Sequence, residues 1–537
     1  MSIFSIGLSG LNAANNALNT TSNNISNVYT PGYNRELVML GQSGVSGGVK
    51  VNDIQRQFDQ YVATQLNAAN SKSHALSAYQ VQVSQIDNLL ADQDAGLAPL
   101  MQNFFSALGD LASTPSDPAA REGVIGAADT LSAQFRAFDS YLNDMGAGID
   151  GQLHDEVTQI NNTARQIATL NREITLARAK QGEAPNSLLN QRDQLVADLS
   201  ERLDVTLTVQ DGTYNLSIGN GQPLVAGTRG FALQTMPSSV DPTRTVLGYH
   251  DSAGNLIELK ENTITGGSLG GLLGFRAETL DKTRSQLGQL AVSFALSFNQ
   301  QHQAGTDLNG EPGTALFAVG QPRAFSNAHN TGTASLSATF GELGDLTHSD
   351  YDLRVSDAAT REFTITRRDT GDTFTATLDG DRLTFAGVVM TVDDPAGLVD
   401  GDRFQLQPTR GAAAGMENLI HDSAAIAAGT SGESGDNENA LALQALQNQS
   451  LVGGTATFNQ TYASMVGDVG NRTNIVQVNL EAQQGLSDQL RAVQQSQSGV
   501  NLDEEAANLI RYQQYYQANA KVIQTGATVI DVLLGLR

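Results

Sequence analysis

The chain has 537 residues, 31 Lys and Arg against 56 Asp and Glu, a formal net charge of -25 and no cysteine. That length is enough for about three to four domains with their own cores, while the acidic balance excludes a phosphate-reading basic stripe and disfavours anionic membrane surfaces. Absence of cysteine excludes disulfides, thiolate metal sites and a thiol nucleophile, and only 16% of residues are charged, so its surfaces are polar without being strongly charged.

The first 34 residues contain no Asp, Glu, Lys, Arg or His. Phe4, Leu11, Leu18 and Ile25 recur every seven positions, with Gly7, Ala14, Thr21 and Val28 three residues after each. This predicts a helix with a narrow a/d seam of mostly small residues. On another face Asn12, Asn16, Asn19, Asn23 and Asn27 form a ladder of amides able to donate and accept across a subunit contact. Thr30-Pro31-Gly32-Tyr33 then predicts a type II turn, with Pro31 fixing φ and Gly32 supplying a positive φ. With Arg35 as the first basic residue and Asn and Ser interrupting the apolar positions, the segment reads as neither signal peptide nor membrane span.

Residues 35 to 51 read as an extended or hairpin connection. Helical period follows from about Gln57 to Leu90 and from Leu97 to Leu111. Pro118 is expected in the first turn of a helix to about Met145. Gly146-Ala147-Gly148-Ile149-Asp150-Gly151 matches G-x-G-x-x-G but follows a helix, so it is expected to be an interhelical loop and not a dinucleotide site. Leu153 to Ala177 continues as a helix, breaks at Gly182 to Pro185, and resumes from Ser187 to Leu203.

At Asp204 the period changes to two, and Asp211-Gly212 predicts a hairpin. Strand-like sequence continues to about Ile264, a helix runs from Leu269 to about Gln303, and Phe325 to Gln407 reads as an inserted all-β domain. Helix returns from about Glu438, pauses at Gly453-Gly454 and runs to the end, with a break expected near Gly499. In the last stretch Leu502, Leu509, Tyr516, Ile523 and Ile530 repeat the seven-residue spacing. Heptad stripes at both ends predict that the termini meet in one coiled coil and that everything between loops out.

The expected fold class is therefore α+β multidomain: a terminal α-helical coiled coil (1-56 and 470-537), a mainly helical bundle (57-203, 265-322 and 411-469), a β-hairpin-rich part (204-264) and an inserted all-β domain (323-410). No chemistry of cofactor or metal type is indicated: the seven histidines show no i, i+4 pair, and Asp307-Leu308-Asn309-Gly310-Glu311 lacks the later ligands of a calcium loop. Gly266-Gly267-Ser268-Leu269-Gly270 matches G-x-S-x-G, with Asp281 and His302 downstream, but neither the preceding buried strand nor a parallel sheet is visible. Ser268 is expected to be a helix N-cap instead.

Two stretches carry a resemblance. Ala14 to Asn19 with Ser26-Asn27-Val28-Tyr29-Thr30-Pro31-Gly32-Tyr33-Asn34-Arg35, and Val500 to Ile510 with Tyr512 to Ile523, are similar to the two ends of the axial proteins of the bacterial flagellum, the rod, hook and hook-associated family. Phe298-Asn299-Gln300-Gln301-His302 through Asn309-Gly310, and Gly435 to Ala440, resemble the hook-associated members. The resemblance implies a structural, non-enzymatic subunit at the hook-filament junction, outside the cell, exported unfolded without a cleaved signal peptide. It implies as partners further copies of the chain, the hook protein, the second junction protein, and an export chaperone on the C-terminal helix, with no nucleic acid and no membrane. The expected assembly interface comprises Phe4, Leu11, Leu18, Ile25, Asn16, Asn23, Asn27, Pro31, Gly32, Tyr33, Leu502, Leu509, Tyr516, Ile523 and Ile530. The competing reading is a secreted adhesin or hydrolase whose β domains bind a carbohydrate or peptide.

Overall fold

The computed structural model describes residues 3–43, 47–92, 96–182, 184–251, 253–431, 433 and 435–535. Positions 1–2 and 536–537 of the expected coiled coil, 44–46 of the expected connection and 183 of the expected interhelical break lie outside the described residues.

The helices are α1 (Ile3–Ser26), α2 (Gln60–Leu90), α3 (Leu97–Ser113), α4 (Pro118–Gln181), α5 (Asn186–Arg202), α6 (Gly267–Phe275), α7 (Asp281–Gln303), α8 (Glu438–Ala445), α9 (Phe458–Ser498) and α10 (Leu502–Gly535). Their ends follow from side chains. The Asp59 carboxylate accepts from the Tyr61 and Val62 amides at the start of α2, Asp117 caps α4 ahead of Pro118, and Thr457 and Gln460 form a capping box on α9. α4 ends where Gly182 takes φ 85°, the left-handed conformation that closes a helix without a Cβ clash.

Two expectations about helices are corrected. No loop interrupts Gly146 to Gly151: α4 is one helix of 64 residues. Each glycine costs about 1 kcal/mol relative to alanine in a helix, but Leu142, Ile149 and Leu153 stay fully buried across the stretch, and each such side chain contributes about 1.5–3 kcal/mol. The boundary placed at residue 470 falls inside α9, which lies along α2 to its end. Met465, Val469, Val476 and Leu480 are buried, the Gln483 amide donates to the Ala69 carbonyl at 3.2 Å, and Ser487 bonds Asn70. The chain leaves the helical layer only at Gly499, where α9 ends.

The main core is helical and aromatic. Phe104, Phe105, Phe135, Phe294, Phe298, Phe317 and Phe458 pack ring against ring, with Phe294 and Phe298 4.5 Å apart. The same core extends under two small sheets, β3 (Thr206–Gln210), β4 (Thr213–Ser217), β5 (Pro223–Ala226) and β6 (Arg229–Gly230) in one, β7 (Leu233–Pro237), β8 (Thr245–His250) and β9 (Leu256–Glu258) in the other. These are preceded in the chain by the hairpin β1 (Glu36–Gln42) and β2 (Val49–Arg56). Asp211 and Gly212 take φ 51° and 72°, as a two-residue hairpin turn requires. Asn171 and Asn161 of α4 donate to the Tyr214, Gly227 and Leu233 carbonyls at 2.7 to 2.8 Å, and Tyr214, Leu216, Leu233 and Leu247 join the helical core. Residues 204–264 thus share the helical core.

The insertion between β10 (Phe317–Ala318) and β19 (Glu417–Asn418), which pair as a neck, has its own core. It holds β11 (Arg323–Ser326), β12 (Leu336–Phe340), β13 (Tyr351–Asp357), β14 (Glu362–Arg367), β15 (Thr373–Thr377), β16 (Arg382–Phe385), β17 (Val388–Val392) and β18 (Arg403–Gln407). Two antiparallel sheets, ordered β11-β18-β13-β14-β15 and β12-β17-β16, enclose Tyr351, Leu353, Phe363, Ile365, Val388, Met390, Phe404 and Leu406. Strict alternation of buried and exposed positions along β13 shows why: one face meets the partner sheet, the other water. The chain is an α+β multidomain protein. Among the described residues, none before 79 or after 476 enters the fully buried part of either hydrophobic core.

Candidate functional site

The two ends of the chain come together as the pair α1 and α10, running antiparallel. Ile3 and Phe4 lie against Gly526, Gly7 against Ile523, Gly10 against Asn519, and Asn24 against Glu505. The contact is close because the residues are small: a Cβ on Gly7 would sit 2.6 Å from Ile523 Cγ1, and one on Gly10 would overlap the Asn519 amide. Gly7, Gly10, Ala14, Ala17, Thr21 and Asn24 form the buried stripe, spaced three and four apart.

This phase differs from the expected seam. Gly7, Ala14 and Thr21 do lie in the buried stripe, but their partners are Gly10, Ala17 and Asn24. Phe4, Leu11, Leu18 and Ile25 flank the stripe and are only half-buried, and Val28 lies beyond the helix end. The reason is backbone approach: a helix that packs through glycine and alanine brings the partner so near that leucines cannot occupy the line of contact and splay to its sides. Asn16 and Asn23 are exposed and Asn27 is half-buried. Asn16 and Asn27 donate to the carbonyls four residues earlier.

On α10, Leu509 and Ile523 are half-buried, while Leu502, Tyr516 and Ile530 remain 43%, 42% and 44% exposed. Ile510, Tyr515, Val522, Val529 and Val532 are exposed beside them. α10 therefore presents a wide apolar surface with Lys521 and Asp531 as the only charges after Arg511 in its described length. Sustained apolar exposure of this kind marks an interaction surface.

Below the helix pair the turn and the first charges of the chain form a lock. Gly32 takes φ 74° and the Tyr33 amide donates to the Thr30 carbonyl at 3.2 Å, a type II arrangement. Pro31 and Gly32 are exposed, while half-buried Tyr33 donates its hydroxyl to Asn24 Oδ1 at 2.7 Å. Asn24 in turn donates to the Glu36 carbonyl at 2.9 Å and to Glu505 Oε2 at 3.2 Å. Arg35 donates through Nε to Glu505 at 2.7 Å and through a terminal nitrogen to Glu504 at 2.7 Å. Glu505 is 1% exposed, so both its oxygens depend on these donors. Burial first, then the charges of Glu36 and Glu505, push the Tyr33 hydroxyl well above its ordinary range and keep it a neutral donor. The lock is fixed to the body where Asn34 meets Asn190 of α5 at 2.8 Å and the Arg35 amide meets the Ser498 carbonyl at 2.9 Å. A cleft of about 1010 Å³ lies beside it, lined by Asn23, Asn27, Tyr33, Asn162, Asn190 and Gln194 among others.

Sequence reasoning missed Gly10, Asn24, Arg35, Glu505 and Gly526. A signal existed for two of them: Arg35 ends the uncharged segment and the acidic pair Glu504-Glu505 opens the facing helix, a complementary arrangement at matching ends of the heptad stripes.

The residues of the apparent nucleophile elbow do not assemble. Gly266 is the N-cap of α6 and no side chain caps it, so the expectation that Ser268 caps the helix is corrected. The glycines instead admit neighbours: a Cβ on Gly267 or Gly271 would overlap the backbone of Arg202 or Ala75. Asp281 is paired with Arg244 at 2.6 Å and Arg410 at 3.1 Å, while His302 bonds the Thr314 carbonyl at 2.7 Å and accepts from the Ala427 amide at 2.9 Å. Asp307 accepts from the Asn309 and Glu311 amides, folding its turn on itself. Among the described residues no helix is long and apolar enough to cross a membrane.

Four family models match the chain: flagellar hook-associated protein FlgK helical domain over residues 83–317, flagellar hook-associated protein 1, D2-like domain over 325–408, flagella basal body rod protein over 4–34, and flagellar basal body rod FlgEFG protein C-terminal over 494–536. The last two fall on α1 with its turn and on α10. The chain is 42% identical over 550 residues to flagellar hook-associated protein 1 of Escherichia coli (strain K12), covering 100% of both. It is 23% identical over 580 residues to that of Bacillus subtilis (strain 168), covering 98% of this chain and 96% of the relative. The solved structure of the flagellar hook junction protein FlgK from Burkholderia pseudomallei superposes with a TM-score of 0.76 at 29% identity, covering 81% of this chain and 100% of that one.

Proposed function

Because the chain belongs to the flagellar hook-associated protein 1 family, structural subunits of the hook-filament junction, we propose that it enters that tubular assembly through α1 and α10. The observation that carries this reading is the apolar surface of α10, which one copy leaves uncovered although it lies outside both hydrophobic cores. Leu502, Leu509, Tyr516, Ile523 and Ile530, together with Phe4, Leu11, Leu18 and Ile25, would bury against neighbouring copies. Asn16, Asn23, Asn27 and the Pro31-Gly32-Tyr33 turn would supply uncharged polar contacts, which suits copies that each carry a formal net charge of -25 and would otherwise repel.

On this reading residues 1–56 and α10 face the axis, α9 belongs to the helical layer around them, and the 323-410 domain projects outward. The hook protein and the second junction protein are the neighbours at the two ends of the ring. Before export, without a cleaved signal peptide, a chaperone covers α10, whose apolar face would otherwise aggregate. Catalysis has no part in the role. The test is a pair of variants in motile cells. Replacing 323–410 by a short linker should preserve incorporation at the hook tip, whereas truncation after Gly499 should abolish it; incorporation of the truncated chain would overturn the proposal, and loss of incorporation with the linker would return the function to the β domain.

A further inference from the structure

The neck where the β domain joins the helical layer contains a cavity of about 440 Å³ lined by five arginines, Arg244, Arg276, Arg284, Arg323 and Arg410. Such convergence is unusual in a chain with 31 basic against 56 acidic residues, and the five come from separate positions: the turn before β8, the π-helical segment that joins α6 to α7, α7, β11, and the chain after β18.

Three of the arginines are committed to carboxylates. Arg244 pairs with Glu261 and Asp281, Arg276 with Asp150 and Glu261, and Arg410 with Asp281 and Asp350. Arg284 and Arg323 are in no ion pair among the described residues. One terminal nitrogen of Arg284 reaches Asn143 Oδ1 at 3.0 Å, and its buried Nε has no hydrogen-bond partner. Asp139 is near both, yet its buried Oδ1 is also without a partner, so it leaves a gap and not a closed pair. Burial and then the neighbouring Arg410 push the Arg284 guanidinium below its ordinary range, so added negative charge there is favoured. At Gly411, whose φ is 78°, a Cβ would stand 3.1 Å from Arg323, so glycine lets that guanidinium lie against the backbone. Each guanidinium carries five N–H donors in a planar fork matched to oxyanions, and although Asp150, Asp241 and Asp281 also line the cavity, the buried Nε atoms of Arg276, Arg284 and Arg410 are left without a hydrogen-bond partner.

We propose that this cavity binds a small tetrahedral oxyanion, inorganic phosphate or sulfate, held by Arg284 and Arg323 with the other three arginines behind them. The inference is independent of the assembly role. Its structural effect is to tie α7 to β11 and so clamp the β domain on the helical layer.

The experiment is calorimetric titration of the full chain with inorganic phosphate, and separately with sulfate, at ionic strength held constant with chloride. Saturable binding with one site per chain is expected, weakened about ten-fold by Arg284→Gln and by Arg323→Gln, as loss of one charge-assisted contact implies. Neither variant breaks an ion pair, and circular dichroism checks that each is folded. Binding that both folded variants retain at wild-type strength overturns the assignment. So does a wild-type chain that binds neither anion beyond the chloride background, a result that needs no variant.

Discussion

Glu505→Ala should release the terminal helices while leaving the body of the protein intact. The Glu505 carboxylate is 1% exposed and receives Arg35 Nε at 2.7 Å and Asn24 Nδ2 at 3.2 Å. Breaking a fully buried ion pair by removing one partner costs about 3–5 kcal/mol. Here Arg35 is 17% exposed and keeps Glu504, itself 58% exposed, and Asn24 keeps the Glu36 carbonyl, so the loss falls to about 2 kcal/mol. That corresponds to about 30-fold more frequent opening of the pair. Because α1 and α10 belong to neither core, the loss is local. Amide hydrogen exchange resolved by mass spectrometry should show faster exchange in residues 20–36 and the first turns of α10, while the main thermal transition moves little. Unchanged exchange would mean that the lock does not hold the helices, and a large fall in the main transition would mean that the termini are part of the core.

Leu509→Asp, half-buried on α10, should leave the monomer's thermal transition unchanged yet abolish incorporation into the flagellum, because a carboxylate buried between copies costs several kcal/mol; normal motility would refute the interface. Ser268→Ala removes no capping bond and should alter stability by less than about 0.5 kcal/mol, with no hydrolytic activity to lose; a measurable loss of ester hydrolysis would reopen the enzyme reading. Acid should loosen the neck. Burial pushes Asp281 up, but Arg244 and Arg410 outweigh it and hold the carboxyl below its ordinary range, and Glu261 is held down likewise. A carboxylate with a depressed folded pKa stabilises above its unfolded value, so this contribution is full at neutral pH and is lost as pH falls below about 4. Asp350, pushed up by burial, acts in the opposite sense and softens the drop. Thermal unfolding between pH 7 and 3 should show the loss in wild type and a flatter response in Asp281→Asn; equal slopes would refute it.

Local chemistry was legible in the amino acids alone. The helix start at Pro118, the turns at Pro31-Gly32 and Asp211-Gly212, the period-two β insertion and the end of α9 at Gly499 each depend on neighbours within a few residues, where one φ value decides the outcome. The motifs at both ends also pointed to the axial flagellar family before any fold was in view. What stayed hidden depends on distance in the chain. Gly146, Gly148 and Gly151 read as a break, but burial of Ile149 and Leu153 against other elements carries the helix through them. The α1 seam was read with its leucines inward because hydrophobicity ranks them first; only the partner helix reveals that glycine and alanine form the line of contact and that the leucines flank it. Ser268 matched a cap because its neighbours in sequence allow one, whereas the backbone of Arg202 crossing at Gly267 puts the helix start elsewhere. The Glu505 lock and the arginine cavity join residues hundreds of positions apart, and pairing of buried charges is a property of where the folded elements meet, which no single stretch of sequence encodes.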